Sequence, residues 1–150
     1  MNISYKPYEA KDLPELRTMI HALYREDGEP EKMTDNKIDK TVDFLYANPG
    51  HGEILVFCSE SKVVGYAILI NYWSNEFGGN VLYIDELFVK EAFRNQQIGT
   101  DFINYLIRTG YNNCRALSLE VVGINARALA FYRRLGFNPA PNHTLRYVVR

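Results

Sequence analysis

Between Val81 and Val122 the chain reads strand, short basic turn, amphipathic helix, strand. The apolar run Val81-Leu82-Tyr83-Ile84-Asp85-Glu86-Leu87-Phe88-Val89 leads to Arg94-Asn95-Gln96-Gln97-Ile98-Gly99-Thr100. An amphipathic segment from Phe102 to Ile107 follows and stops at Gly110, and Ala116-Leu117-Ser118-Leu119-Glu120-Val121-Val122 forms a second apolar strand. Two strands joined through a helix run parallel in one sheet, because the helix returns the chain to the end it left. The turn at Arg94 therefore lies at the carboxyl end of a strand, where such sheets bind ligands. It also opens a helix, whose first backbone N–H groups lack intrahelical partners and sit at the positive end of the dipole. Arg94 adds a full charge, and Gly99 permits close backbone approach. An anion site is one reading of this layout; a plain connection is the other.

The remaining elements fall around this unit. Asn2 to Tyr8 alternates weakly and reads as a first strand. Leu13, Leu16, Met19, Ile20 and Leu23 recur at helical spacing, with Pro14 in the first turn and Asp27-Gly28-Glu29-Pro30 as the break. A second helix spans about Asn36 to Ala47, with Asp35 as its expected N-cap. The acidic linker from Arg25 to Asp35 is a candidate lid. Ile54–Cys58 and Val63–Ile70 flank Glu60-Ser61-Lys62 as a hairpin, and Asn71 to Asn80 reads as a loop. A helix from Ala126 to Leu135 and a terminal strand from Thr144 to Val149 complete the order β-α-α-β-β-β-α-β-α-β. This is an α/β (α+β) chain with a mixed sheet and helices on both faces.

Size and composition narrow the function classes. At 150 residues the chain is expected to be one domain, residues 1–150, with a proper core. A formal net charge of −1 gives no electrostatic case for nucleic acid or an anionic membrane. No apolar run approaches the ~20 residues of a membrane helix, and Met1 to Tyr8 lacks the apolar core of a signal peptide. Cys58 and Cys114 read as free thiols of a reducing compartment, so the expected location is cytoplasmic. His21, His51 and His143 are scattered without ligand spacing, so no metal is expected. Neither a Walker lysine pattern nor Gly-x-Gly-x-x-Gly is present, which removes the nucleotide-binding reading.

Beyond the second strand come Asn125 and Ala130-Phe131-Tyr132-Arg133-Arg134-Leu135-Gly136-Phe137. Here the chain resembles the GCN5-related N-acetyltransferase (GNAT) superfamily. That family's loop reads Arg/Gln-x-x-Gly-x-Gly/Ala, and its later signature is a strand, an Asn and a helix ending Phe-Tyr-x-x-x-Gly-Phe. The resemblance covers about Val81 to Phe137. One departure stands out: the family's first loop glycine falls on Gln97, so the pattern reads Arg94-x-x-Gln97-x-Gly99. A non-glycine residue at positive φ there carries strain.

The resemblance implies a GNAT-type, mostly antiparallel sheet of about six to seven strands, and acetyl-CoA as co-substrate. It places the coenzyme diphosphate on Arg94, Asn95, Gln96, Gln97, Ile98, Gly99 and Thr100. It runs the pantetheine arm along Leu87, Phe88 and Val89, with a backbone N–H near Leu87 or Phe88 as oxyanion donor. By resemblance, Asn125 hydrogen-bonds the arm; from its position alone it is equally a helix N-cap. Tyr132 matches the family's acid beside the coenzyme sulfur, or is a core tyrosine.

An amine with a pKa near 10.4 costs about 4.6 kcal/mol to deprotonate at pH 7, so a carboxylate base is expected. Asp85 and Glu86 are the candidates. Neighbours on a strand face opposite ways, so one points into the cleft unless a bulge exposes both. Tyr24, Tyr72, Trp73 and Glu76 are candidates for an acidic, aromatic acceptor pocket suited to a cation. The expected activity is acetyl transfer to a primary amine of a small molecule, such as a polyamine, aminoglycoside or amino-acid-like compound, in a ternary complex. The alternatives are a protein lysine or N-terminus as acceptor, and a non-catalytic acyl-CoA-binding module. The exposed edge of the terminal strand leaves room for a homodimer.

Overall fold

The structure, a computed structural model, describes residues 2–123 and 125–150. Its elements in chain order are β1 (Ile3–Pro7), α1 (Leu13–Asp27), α2 (Asp35–Ala47), β2 (Gly52–Ser59), β3 (Lys62–Ser74), β4 (Gly79–Val89), α3 (Ile98–Thr109), β5 (Ala116–Ser118) and α4 (Ala126–Arg134). The five strands form one sheet in sequence order, β1-β2-β3-β4-β5. The first three pairings are antiparallel, and β4 pairs with β5 in parallel through Val81–Ala116, Leu82–Leu117 and Tyr83–Ser118. The crossover read from the sequence is therefore present.

Helix boundaries follow local chemistry. Pro14 occupies the first turn of α1, and Gly28, at φ 65°, closes it by donating its N–H to the Tyr24 carbonyl at 3.1 Å. Thr34, not Asp35, caps α2: its hydroxyl accepts from the Lys37 N–H at 3.2 Å, and Asp35 becomes the first helical residue. The linker between these helices shortens to residues 28–34.

Each sheet face carries its own core. Leu16, Met19 and Ile20 of α1 and Ile38 and Leu45 of α2 bury against Ile54, Tyr66, Ile68 and Phe88. On the other face Ile98, Phe102, Ile103 and Leu106 of α3 bury against Leu55, Phe57, Ala67, Leu69, Leu82 and Ile84. Tyr132, Leu135 and Phe137 extend that second cluster toward α4.

Among the described residues the sheet has five strands where about six to seven are expected. The second apolar strand is paired only over Ala116–Ser118, because β4 and β5 diverge beyond Tyr83 and residues 119–122 run on without a ladder. Residues 144–149 form no strand either. Their alternating pattern suits a strand, but backbone groups form a ladder only where a neighbour presents its own, and β5 offers too short an edge. Leu145, Tyr147 and Val149 stay exposed, and the terminal-strand edge expected to admit a second copy does not exist. Asn71 to Asn80 is also reassigned: Asn71 to Ser74 continue β3, and Gly79 and Asn80 begin β4.

Phe102 is fully buried, with ring centroids 4.6 Å from Phe57 and 5.1 Å from Tyr5. Phe102→Ala should lower the unfolding free energy by about 3–5 kcal/mol in urea titration. A loss below about 1 kcal/mol would show that α3 does not depend on this contact.

Candidate active site

The divergence of β4 from β5 opens a cleft of about 1130 Å³. That exceeds the roughly 300–1,000 Å³ typical of a pocket for one small ligand, and leaves room for two substrates. The cleft is floored by Tyr83 to Val89 and walled by residues 119–122, the end of α1, the first turn of α3 and the length of α4.

A β-bulge organises its floor. Ile68 pairs with Glu86 but Leu69 pairs with Ile84, so Asp85 is an extra residue in β4. The slip reverses the alternation of side chains. Leu82 and Ile84 belong to the α3-side core before it, and Leu87 and Val89 pack on that same side after it. Glu86 and Phe88 turn instead to the α1 side. Both carboxylates consequently reach the cleft.

Glu86 is 9% exposed and held at both oxygens. The Tyr24 hydroxyl donates to Oε2 at 2.7 Å, and the Tyr66 hydroxyl donates to Oε1 at 2.8 Å. Burial pushes the Glu86 carboxyl up to about 7; the two tyrosines pull it down, and Asp85 and Glu29 push it further up. Burial and the neighbouring carboxylate likewise raise both tyrosines, so they remain protonated donors. Burial, with Glu120 and Glu29 nearby, raises the Asp85 carboxyl. Asp85 is open to cleft solvent and makes no hydrogen bond among the described residues.

Ladder alternation decides which backbone groups face the opening. Lys90 donates to the Val64 carbonyl at 2.9 Å, so the even-numbered residues Phe88 and Glu86 also direct their backbone groups to β3. Leu87 and Val89 direct theirs to the edge that β5 has left. The Val89 carbonyl accepts from Arg94 Nε at 2.8 Å. The Leu87 N–H is thus the donor that faces the cleft, and the Phe88 N–H belongs to the ladder.

The turn before α3 has the form of an anion nest. Asn95 (φ 62°) and Gln97 (φ 67°) are left-handed on either side of Gln96, which turns successive N–H groups inward. Among the described residues no protein acceptor faces the N–H groups of Asn95 to Thr100. Gly99 also has a packing role, since a Cβ there would meet the Phe131 ring at 3.3 Å. Gln96 is the one loop residue that does not line the cleft. Arg127, which the sequence reading passes over, donates to Asn95 Oδ1 at 3.4 Å and lines the cleft, as does Arg134 at the far end of α4.

The other expected residues divide by place. Asn125 caps α4, its Oδ1 accepting from the Ala128 N–H at 3.0 Å, and its Nδ2 donates to Asp27 at 3.2 Å. Tyr132 lines the cleft, and burial with Asp27 nearby lifts its phenol to about 12. Tyr24 lines it as well. Tyr72, Trp73 and Glu76 do not: Tyr72 pairs with Val81 and Trp73 with Asn80, about 17 Å along β4 from Glu86 at ~3.4 Å per residue. The aromatic residues that do meet the carboxylate include Tyr66, which periodicity could only mark as core. Among the described residues no group of His, Cys, Asp and Glu is arranged to hold a metal ion, and no helix is long and apolar enough to cross a membrane.

The acetyltransferase (GNAT) family model matches residues 14–137. The chain belongs to this family. It is 33% identical over 129 residues to the thialysine N-epsilon-acetyltransferase of Bos taurus, covering 78% of this chain and 75% of that one. It is 37% identical over 101 residues to the mycothiol acetyltransferase of Amycolatopsis mediterranei (strain U-32), covering 65% of this chain but only 29% of that longer protein. Among solved structures, one described as a possible acetyltransferase from Clostridium difficile 630 superposes with a TM-score of 0.86 at 22% identity, covering 100% of this chain and 99% of that one. At that identity the superposition speaks for the fold.

Gln97 tests the loop. A left-handed non-glycine residue costs about 1–2 kcal/mol, and glycine returns about 0.4–1 kcal/mol of that through a freer unfolded chain. Gln97→Gly should therefore raise stability by about 0.5–1 kcal/mol in urea titration. A loss of stability would mean that the Gln97 side chain contributes contacts exceeding its strain.

Proposed function

We propose that the chain transfers the acetyl group of acetyl-CoA to a primary amine of a small molecule, by direct attack within a ternary complex. The observation that carries this reading is the clamped Glu86 carboxylate beside the open Leu87 N–H. Base and oxyanion donor lie on successive residues at the edge β5 has left. The relatives named for thialysine and mycothiol support a small amine as acceptor.

The cleft is electrically divided in the way two such substrates need. Arg94, with Glu26 paired to it, and Arg127 stand beside the nest of N–H groups; Glu29, Asp85, Glu86 and Glu120, the last with Arg146 beside it, cluster about the bulge. The coenzyme diphosphate suits the first group and a cationic amine the second. An open nest at a helix N-terminus fits a bulky diphosphate. In this reading Asn95 to Thr100 hold the diphosphate, and Leu87 and Val89 offer the pantetheine arm the edge of β4.

The chemistry is nucleophilic substitution at the thioester carbon. The ammonium first gives one proton to ionised Glu86, directly or through water, and from there to solvent; the freed lone pair then forms the new C–N bond, and the carbonyl oxygen gathers negative charge under the Leu87 N–H. The C–S bond then breaks, and the nitrogen gives up a second proton to Glu86 directly or through water. A base near 7 is half ionised at neutral pH and remains strong enough to accept that proton. Tyr132 plays a lesser part. Moving a proton from a phenol near 12 to a thiolate near 8.5 is uphill by about 5 kcal/mol. Tyr132 therefore serves as a hydrogen-bond donor to the leaving sulfur.

A panel of diamines, amino acids and aminoglycosides, followed by thiol release, tests the activity. Parallel double-reciprocal plots would contradict a ternary complex. With an active amine, kcat/KM should rise with pH through about 7, since Glu86 must be ionised. Glu86→Gln should lower it by about 10²–10⁴ and erase that limb. A limb that persists in the variant assigns the base elsewhere. Tyr132→Phe should lower kcat about tenfold, roughly 1.4 kcal/mol, with coenzyme affinity unchanged; an unchanged kcat removes its role at the sulfur.

A further inference from the structure

Arg94 already holds an anion. Its Nε donates to the Val89 carbonyl at 2.8 Å, and its guanidinium carbon lies 5.2 Å from the centre of the Phe88 ring. These contacts fix the plane of the side chain and leave its two terminal nitrogens, of which Nη2 takes a partner. That nitrogen donates to both oxygens of Glu26, at 3.0 and 2.9 Å.

Glu26 lies in the last turn of α1, with Asp27 beside it. Two acids at a helix C-terminus oppose the helix dipole, so this turn relies on external partners. Arg94 supplies one to Glu26, and Asn125 supplies the other to Asp27 at 3.2 Å. The same turn holds Tyr24, whose carbonyl receives the closing bond from Gly28 and whose hydroxyl clamps Glu86. The end of α1 thus joins the loop before α3, the cap of α4 and the carboxylate in the floor.

We propose that Glu26 is a positioning residue that occupies Arg94 in place of the coenzyme diphosphate, ties the end of α1 across the loop in the free protein, and is exchanged for the diphosphate on binding. The proposal rests on the acetyl-CoA reading above. The exchange makes and breaks no covalent bond. Arg94 need not turn, because Nε and the Phe88 ring keep hold of it. Glu26 is half exposed and can return to water at little cost. One of the two ties on the last turn of α1 is then gone, and the Tyr24 clamp on Glu86 loosens after the coenzyme has arrived. Coenzyme occupancy is in this way transmitted to the base through the chain's own helix end.

The test is Glu26→Gln, titrated calorimetrically with CoA beside the wild type at low ionic strength. The variant should bind CoA about two- to fivefold more tightly, the factor to which an exposed pair of about 0.5–1 kcal/mol converts. Amide exchange supplies a readout that a purely structural role would not move. In the wild type, CoA should speed exchange in residues 25–28 and leave residues 16–20 unchanged; in the variant those turn amides should exchange fast without CoA. Equal or weaker CoA binding by Glu26→Gln, or slower exchange of residues 25–28 on CoA addition, overturns the proposal. Failure of the wild type itself to bind CoA at millimolar concentration removes the acetyl-CoA reading, and this proposal with it.

Discussion

The single extra residue at Asp85 is the constraint on which the cleft depends. Were Asp85 paired in register instead of bulged, Glu86 would follow Leu82 and Ile84 into the α3-side core, an unpaired charge among buried apolar side chains. With the bulge, the second half of β4 is turned over. Glu86 meets two hydroxyls on the α1 side, and Leu87 replaces it against α3. Ladder hydrogen bonds with β3 resume on both sides of the slip, so little pairing is lost. The same slip puts Asp85 at the opening, where β4 has already parted from β5.

Electrostatics and hydrogen bonding then act in opposition on one carboxyl. Burial and the neighbouring acids favour its protonated form, while Tyr24 and Tyr66 favour the ionised one. The balance near neutrality depends on neither influence winning. The two hydroxyls come from different elements, Tyr66 fully buried in β3 and Tyr24 near the end of α1. Each carboxylate oxygen retains a lone-pair direction beyond its tyrosine, so the clamp orients the group and leaves it able to accept a proton.

The end of α1 is tied to the loop before α3, to the α4 cap and to β4. Gly28 closes it, Arg94 and Asn125 hold its two acids, and Tyr24 reaches the floor of the cleft. Arg94 and Asn125 flank the two helices that wall the loop end. Movement at this one turn would therefore be felt at the nest, at the α4 cap and at Glu86 together. Exposed pairs are individually weak, which lets such a contact exchange partners without endangering the core.

The sequence by itself determined the crossover unit and the place of the turn from Arg94 to Thr100 within it. Both are local: apolar runs of strand length, a turn with Arg94 and Gly99, and an amphipathic helix stopped by Gly110 depend on neighbours a few residues away. The positive φ of Gln97 was legible for the same reason, since one glycine position in a short motif carries it. Only the tertiary structure decided how Asp85 and Glu86 share the cleft, because a bulge is a relation between two strands and leaves no mark on either alone. It also decided that Tyr66 matters and that Tyr72 and Trp73 lie elsewhere: all three are aromatic residues in one strand, distinguished by register along β3. The missing terminal strand has the same cause. Residues 144–149 have the composition of a strand, but a strand exists only where a neighbour offers a ladder, and β5 parts from the sheet too early to provide one.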